Sequence, residues 1–224
     1  VAQKELLDFQ NTGMSVMELS HRSATFEAVH NGAIELLRKI YNIPENYEVL
    51  FLQGGASLQF TMIPMNFLSE GKTASYVQTG AWSEKAFKEA KFFGTPVEAA
   101  STKENKYKNI PSQEDIKFNA DDAYVHITSN NTIYGTQWKV FPDTGDVPLV
   151  ADMSSDILSK PVDVSKFGII YAGAQKNLGP SGVTVVIIRK DLLEKANTNI
   201  PTMLKYTTHA DNNSLYNTPP TFGI

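Results

Sequence analysis

The apolar positions of the chain switch repeatedly between a helical and a strand-like period. "VAQKELLDFQ" predicts a short helix and "NTGMSVMELSHRS" a linking loop. In "TFEAVHNGAIELLRKIY" the apolar residues Phe26, Val29, Ala33, Leu36, Leu37 and Ile40 recur at helical spacing, with Ser23 placed as N-cap. "YEVLFLQ" is a buried strand that stops at Gly54-Gly55, and "SLQFTMIPMNFLSEG" a helix that Pro64 should kink or cut short. "TASYVQTG" predicts a strand, "AWSEKAFKEAKFFG" an amphipathic helix, "TPVEAA" a short strand and "PSQEDIKF" a short helix. "AYVHITSNN", "PLVADMSS", "FGIIYAGA" and "VTVVIIRK" are further strands, and "DLLEKAN" is a helix. Pro219-Pro220 resembles the entrance to one more helix.

This alternation predicts an α/β fold with a mixed, mostly parallel sheet flanked by helices. The loop "QKNLGPSG" between the last two strands is too short for a parallel crossover, which needs roughly a dozen residues. One reversed strand is therefore expected.

Composition narrows the function. With 224 residues the chain forms one large or two modest domains, and 42% hydrophobic against 20% charged residues supports a packed core. A formal net charge of -4 argues against a nucleic-acid partner. No apolar run approaches the ~20 residues that span a bilayer, so no membrane partner is expected. There is no cysteine, which excludes disulfides, thiolate metal sites and a cysteine nucleophile in this sequence and fits a cytoplasmic setting. The chain opens on Val1 rather than Met and ends on "NSLYNTPPTFGI" without a closing element, so a longer protein is expected.

Candidate chemistry collects at strand ends, where open α/β sheets bind ligands. Gly54-Gly55-Ala56-Ser57 follows a strand and opens a helix, an arrangement suited to an anion such as phosphate; an ordinary junction with Ser57 as N-cap explains it as well. Asp152 ends "PLVAD", where a carboxylate needs a partner. Lys176, 24 residues further on, sits among small residues and is a candidate Schiff-base nucleophile. Trp82 could stack on a planar ligand, and Thr132 could bond one. His126 alternates with Val125 and Ile127 and reads as structural; no compact metal-ligand set is present. Anion cradle, acid, amine and aromatic face together match the needs of pyridoxal phosphate.

"MSVMELSHRS", "FLQGGASLQF", "TGAWSEKA", "HITSNNTIYGTQ", "ADMSSDILS", "YAGAQKNLGPSG" and "SLYNTPPTF" resemble, in order along the whole chain, the phosphoserine aminotransferase family of class V aminotransferases, within the fold-type I pyridoxal-phosphate enzymes. The resemblance implies transamination between L-phosphoserine with 2-oxoglutarate and 3-phosphooxypyruvate with L-glutamate, in serine and in many bacteria pyridoxine biosynthesis. It implies that Lys176 carries the cofactor and moves the proton, and that Asp152 holds the pyridine nitrogen protonated. Trp82 would stack on the ring, Thr132 bond its 3-oxygen region, and Ala56, Ser57 and Gln175 bind the phosphate. Asn217 and Thr218 would reach the cofactor of a second subunit, making a homodimer, and His21 with Arg22 would bind substrate. Residues 1–22 would then be an N-terminal helix and substrate-site loop, and 23–224 the cofactor-binding large domain. An additional N-terminal segment and a C-terminal small domain with basic substrate-gripping residues lie outside the sequence given. Some family members have arginine in place of Ser57. The residues leave open another class V enzyme, such as a desulfurase or a different aminotransferase, or a cofactor-binding module without turnover.

Overall fold

A computed structural model describes residues 2–224. The helices are α1 (Ala2–Glu5), α2 (Ala24–Tyr41), α3 (Gly55–Phe67), α4 (Ala81–Ala90), α5 (Lys190–Glu194) and α6 (Tyr206–Asp211). The strands are β1 (Tyr47–Leu52), β2 (Thr73–Gln78), β3 (Thr95–Ser101), β4 (Val125–Thr128), β5 (Asn130–Asn131), β6 (Thr136–Gln137), β7 (Leu149–Asp152), β8 (Ile169–Gly173) and β9 (Thr184–Arg189). Seven of them form one sheet in the order β1-β9-β8-β7-β4-β2-β3, and β5 with β6 makes a small separate hairpin.

Within the large sheet β2, β3, β4, β7 and β8 pair in parallel, while β9 is antiparallel to both β8 and β1. β9 is thus the expected reversed strand, and the short Lys176 loop joins antiparallel neighbours, with Gly173 opposite Thr184.

Both faces of the sheet are covered, which explains the near-continuous apolar runs. Val49, Phe51, Ile170, Ala172, Val185 and Ile187 face one core, shared with Leu37 and Tyr41 of α2. Leu50, Leu52, Ile169, Tyr171, Val186 and Ile188 face the other, shared with Phe60, Met62 and Ile63 of α3 and Ala86 of α4. Each fully buried aliphatic side chain of this kind contributes about 1.5–3 kcal/mol. On the free edge of β1 the Phe51 N–H donates to Ser214 Oγ at 3.0 Å, so the segment after α6 caps a donor that no strand pairs.

Several local expectations need correction. Ser23 caps α2 as expected, accepting from Phe26 N–H at 3.2 Å. The buried face of α2 is nonetheless Phe26, His30, Leu37 and Tyr41, while Leu36 and Ile40 are 60% and 59% exposed. His30 and Tyr41 carry the stripe that apolar counting assigned to its neighbours. α3 runs three residues past Pro64 before it stops at Phe67. "PSQEDIKF" and the segment after Pro219-Pro220 hold single 3-10 turns, Gln113–Asp115 and Thr221–Gly223, rather than α-helices. In the first segment α1 ends at Glu5, leaving Leu7 89% exposed; Val1 lies outside the described residues. Helix α6 and the β5–β6 hairpin have no counterpart in the sequence reading.

Candidate active site

Six strands, β1, β2, β3, β4, β7 and β8, run the same way and end on one side of the sheet, and five of those ends feed a cleft of about 160 Å³. Its lining includes Gly55, Ala56 and Ser57 after β1, Thr128 and Asn130 around the end of β4, Asp152, Ser154 and Ser155 after β7, and Gln175 and Lys176 after β8. Trp82, in the first turn of α4 after β2, completes it.

The α3 start is held open by glycine. Gly54 is the N-cap, at φ 86°, and an added Cβ there would lie 2.5 Å from Leu58 Cβ. Ser57 is therefore inside the helix and not its cap. Gly54 has no side chain to accept from the first amides of α3, which face outward with no intrahelical acceptor. A helix start in this condition suits an anion. The start of α4 is fixed differently: Ser83 Oγ accepts from the N–H groups of Thr79 and Gly80 at 3.0 and 3.1 Å and donates to the Gly80 carbonyl at 2.8 Å. That knot sets the backbone carrying Trp82.

Asp152 is buried. Its Oδ1 accepts from Ser154 N–H at 2.9 Å and from Ser154 Oγ at 2.6 Å, a turn closed by residues i and i+2. Burial pushes the Asp152 carboxyl above the usual range, opposed by the two Ser154 hydrogen bonds and by the positive charge of Lys176. Thr128 pairs with Asp152 in register on the neighbouring strand, and its buried Oγ1 has no protein partner.

Lys176 is exposed at the cleft. Its Nζ donates to Thr132 Oγ1 at 3.3 Å and lies 5.4 Å from the Trp82 ring centroid. Lys85 stands over the same indole at 4.2 Å. The loop around Lys176 is anchored by Asn177 Nδ2, which donates to the Ile157 carbonyl at 2.6 Å, and by a turn in which Leu178 N–H returns to Ala174 O at 3.0 Å. Gly173 leaves space that Gln175 occupies: a Cβ there would lie 3.0 Å from the Gln175 Oε1.

His126 is fully buried under the site. Its Nε2 pairs with Tyr171 Oη at 2.8 Å and its ring stacks on Tyr76 at 5.0 Å. Burial lowers its pKa to about 3, so at neutral pH it is an uncharged core group, in keeping with a structural reading.

The structure thus gathers Ala56, Ser57, Trp82, Asp152, Gln175 and Lys176 around one cleft, with Thr132 against the amine. It does not bring Asn217 and Thr218 there. They line a different pocket with Leu52 and Gln53, where Gln53 Nε2 donates to the Thr218 carbonyl at 2.9 Å. His21 and Arg22 sit in the loop before α2, with the His21 Nε2 buried and unpartnered and Arg22 exposed. Sequence reading missed Thr128 and Ser154. The Asp-x-Ser spacing of 152–154 signals the turn that holds Asp152; nothing local signals Thr128. Among the described residues no cluster of His, Asp and Glu could hold a metal ion, and no helix is long and apolar enough to cross a membrane.

A lysine on a sheet-end loop, a buried strand-end acid, an indole face and an uncapped helix start are groups that an α/β sheet could use to hold a planar, anionic cofactor. The sequence matches the family described as Aminotransferase class-V over residues 1–224, and the chain belongs to that family. It is similar to the phosphoserine aminotransferase of Lysinibacillus sphaericus (strain C3-41), with 80% identity over 223 residues, covering 100% of this chain and 62% of that protein. Among solved structures, it is similar to the phosphoserine aminotransferase from Bacillus circulans subsp. alkalophilus (59% identity, TM-score 0.96, 99% of this chain and 61% of that one). A PLP-bound phosphoserine aminotransferase from Trichomonas vaginalis matches at 41% identity and TM-score 0.90, over 99% of this chain and 62% of that one. The chain therefore spans about 62% of the length of the curated relatives it matches.

Proposed function

We propose that the chain is the cofactor-binding part of a phosphoserine aminotransferase, which moves an amino group between L-phosphoserine with 2-oxoglutarate and 3-phosphooxypyruvate with L-glutamate. The observation that carries the reading is the pairing, in one cleft, of the Lys176 amine with the buried Asp152 carboxylate. The residues fit pyridoxal phosphate. The α3 start lacks a side-chain cap, Thr128 Oγ1 is buried without a partner, and Asp152 is held by neutral donors on one oxygen.

The cofactor, when bound, supplies a reactive carbonyl and a ring that withdraws electrons. Ala56, Ser57 and Gln175 would hold its phosphate, Trp82 its ring face and Thr132 its 3-oxygen region. Asp152 would keep a proton on the ring nitrogen, a task suited to a carboxylate shielded from water. Lys176 Nζ would carry the cofactor, then take the proton from the substrate Cα and return it after transfer. Arg22, exposed beside His21, suits bidentate binding of the substrate's carboxylate or phosphate. Asn217 and Thr218, remote from the cleft within one chain, would serve the cleft of a second subunit in a homodimer. Residues 1–22 act in this reading as the substrate loop and 23–224 as the large domain of a cytoplasmic enzyme.

The test uses the full-length protein. It should show a visible absorption band and transaminate phosphoserine in preference to alanine, aspartate or cysteine. Lys176→Ala should abolish both the band and turnover. Turnover that survives in Lys176→Ala, or a preference for another amino acid, overturns the reading.

A further inference from the structure

The hydroxyl that meets Lys176 rides on an element with little apolar support. Thr132 to Gly135 form the exposed tip of the β5–β6 hairpin, which has just two residue pairs, Asn130 with Gln137 and Asn131 with Thr136. A ribbon of that size is not stable in water by itself. Apart from the Tyr134 ring, packed 4.9 Å from Tyr107, its attachments are polar. Asn130 Nδ2 donates to Ser155 Oγ at 2.9 Å and Asn131 Nδ2 to Thr79 Oγ1 at 3.0 Å.

The third attachment is Asp156. Its Oδ2 accepts from Gln137 Nε2 at 2.9 Å, and its Oδ1 accepts from Ser129 Oγ. Ser129 enters the hairpin and Gln137 leaves it, so one carboxylate grips both legs at the base. Just above, Trp138 N–H donates to the Ser129 carbonyl at 2.9 Å, closing the same base through the backbone. Asp156 is 7% exposed and, among the described residues, takes part in no salt bridge. A buried carboxylate satisfied by neutral donors alone is costly to keep. What distinguishes it from an apolar filler is its pair of acceptors, one for each leg.

We infer that Asp156 is a positioning residue: it clamps the β5–β6 hairpin to the end of β7 so that the Thr132 hydroxyl stands against the Lys176 amine. The clamp acts through Thr132 and does not itself touch the reacting atoms. The inference rests on the reading of Lys176 given above.

The test is a double-mutant cycle in the full-length holoenzyme. Asp156→Ala should lower kcat by up to about a hundredfold, the scale that a displaced catalytic contact can reach, with KM changed much less. Thr132→Val should do the same, and Asp156→Ala with Thr132→Val together should be no worse than either alone. Asp156→Asn should rescue most of kcat. The Asn amide can still accept from Ser129, and Gln137 can turn its own amide to accept from it. In the cofactor-free protein Asp156→Ala should speed hydrogen exchange at the Gly135 and Trp138 amides. Additive losses in the double variant, or a lowered melting temperature with kcat intact, overturn the inference. Lys176→Ala separates the two claims: if that variant stays active, the underlying reading fails. If it is dead while the cycle is additive, only the clamp fails.

Discussion

Ser154 Oγ donates to Asp152 Oδ1 at 2.6 Å and accepts the Gly173 N–H at 3.1 Å, so one hydroxyl joins the strand-end acid of β7 to the strand that leads into Lys176. The bond favours the ionised form of Asp152 against a burial that disfavours it. Ser154→Ala should therefore move the acid limb of the kcat/KM profile to higher pH. Loss of a hydrogen bond to a charged group costs about 1.5–3 kcal/mol, which is roughly tenfold or more in kcat/KM. A pH profile of the full-length enzyme with an unmoved acid limb would rule this role out.

Asp152 should also cost the cofactor-free fold some stability. Its folded pKa is raised above the unfolded carboxylate value near ~3.9. Between those two values the folded chain binds more protons than the unfolded one, so stability falls as pH rises. Asp152→Asn should be more stable than wild type at neutral pH, with the difference closing below about pH 4. Urea melts at several pH values check this; a less stable Asn variant at pH 7 would contradict it.

For His126 the sign is opposite. Its folded pKa of about 3 lies below the unfolded value near ~6.5. As pH falls through this window the unfolded chain takes up a proton that the fold refuses, and stability declines by up to about 1.4 kcal/mol per pH unit. His126→Gln, which keeps a polar partner for Tyr171, should flatten that decline by one proton's worth. Equal slopes for the two proteins between pH 6 and 4 would show that His126 is not the group responsible.

Gly80 has no room for a side chain. A Cβ there would lie 2.5 Å from Asn131 Oδ1 and 3.1 Å from the Tyr134 ring, and Asn131 is already tied to Thr79. Overpacking of this kind costs about 1–3 kcal/mol. Gly80→Ala should push the hairpin away from α4 and lower kcat through the Thr132–Lys176 contact. Thermal melts and kinetics on the same preparation test this. A variant with wild-type kcat and melting temperature would show that the hairpin yields freely.

Much of this is legible in the chain itself, for reasons that differ by element. Both faces of the sheet are buried, so β8 and β9 read as unbroken apolar runs, and the short loop between them dictates the reversal. Asp152 and Lys176 stand out because the apolar runs stop at them. The order of strands does not follow from chain order, since β9 inserts between β1 and β8. The β5–β6 hairpin has no alternating apolar pattern because hydrogen bonds from Asn130, Asn131 and Gln137 hold it. α6, "YTTHAD", escapes for a similar reason: Tyr206 and His209 do the burying, and neither belongs to an apolar period. The exposed Leu36 and Ile40 show the converse, that helical spacing finds a helix more readily than it finds which side faces in.

The reversal of β9 bears on the order of assembly. β8 and β9 close on each other from Gly173 to Thr184 with a short loop between them, whereas Asp152 meets its neighbours Thr128 and Tyr171 by way of long crossovers. Closing a loop of about ten residues takes on the order of 10–100 ns and costs less chain entropy than longer closures. Pulse-labelled exchange during refolding should protect amides of 169–189 before those of β4 and β7. The backbone that carries Lys176 would then be set early in folding, with the acid, the indole and the helix start arriving around it.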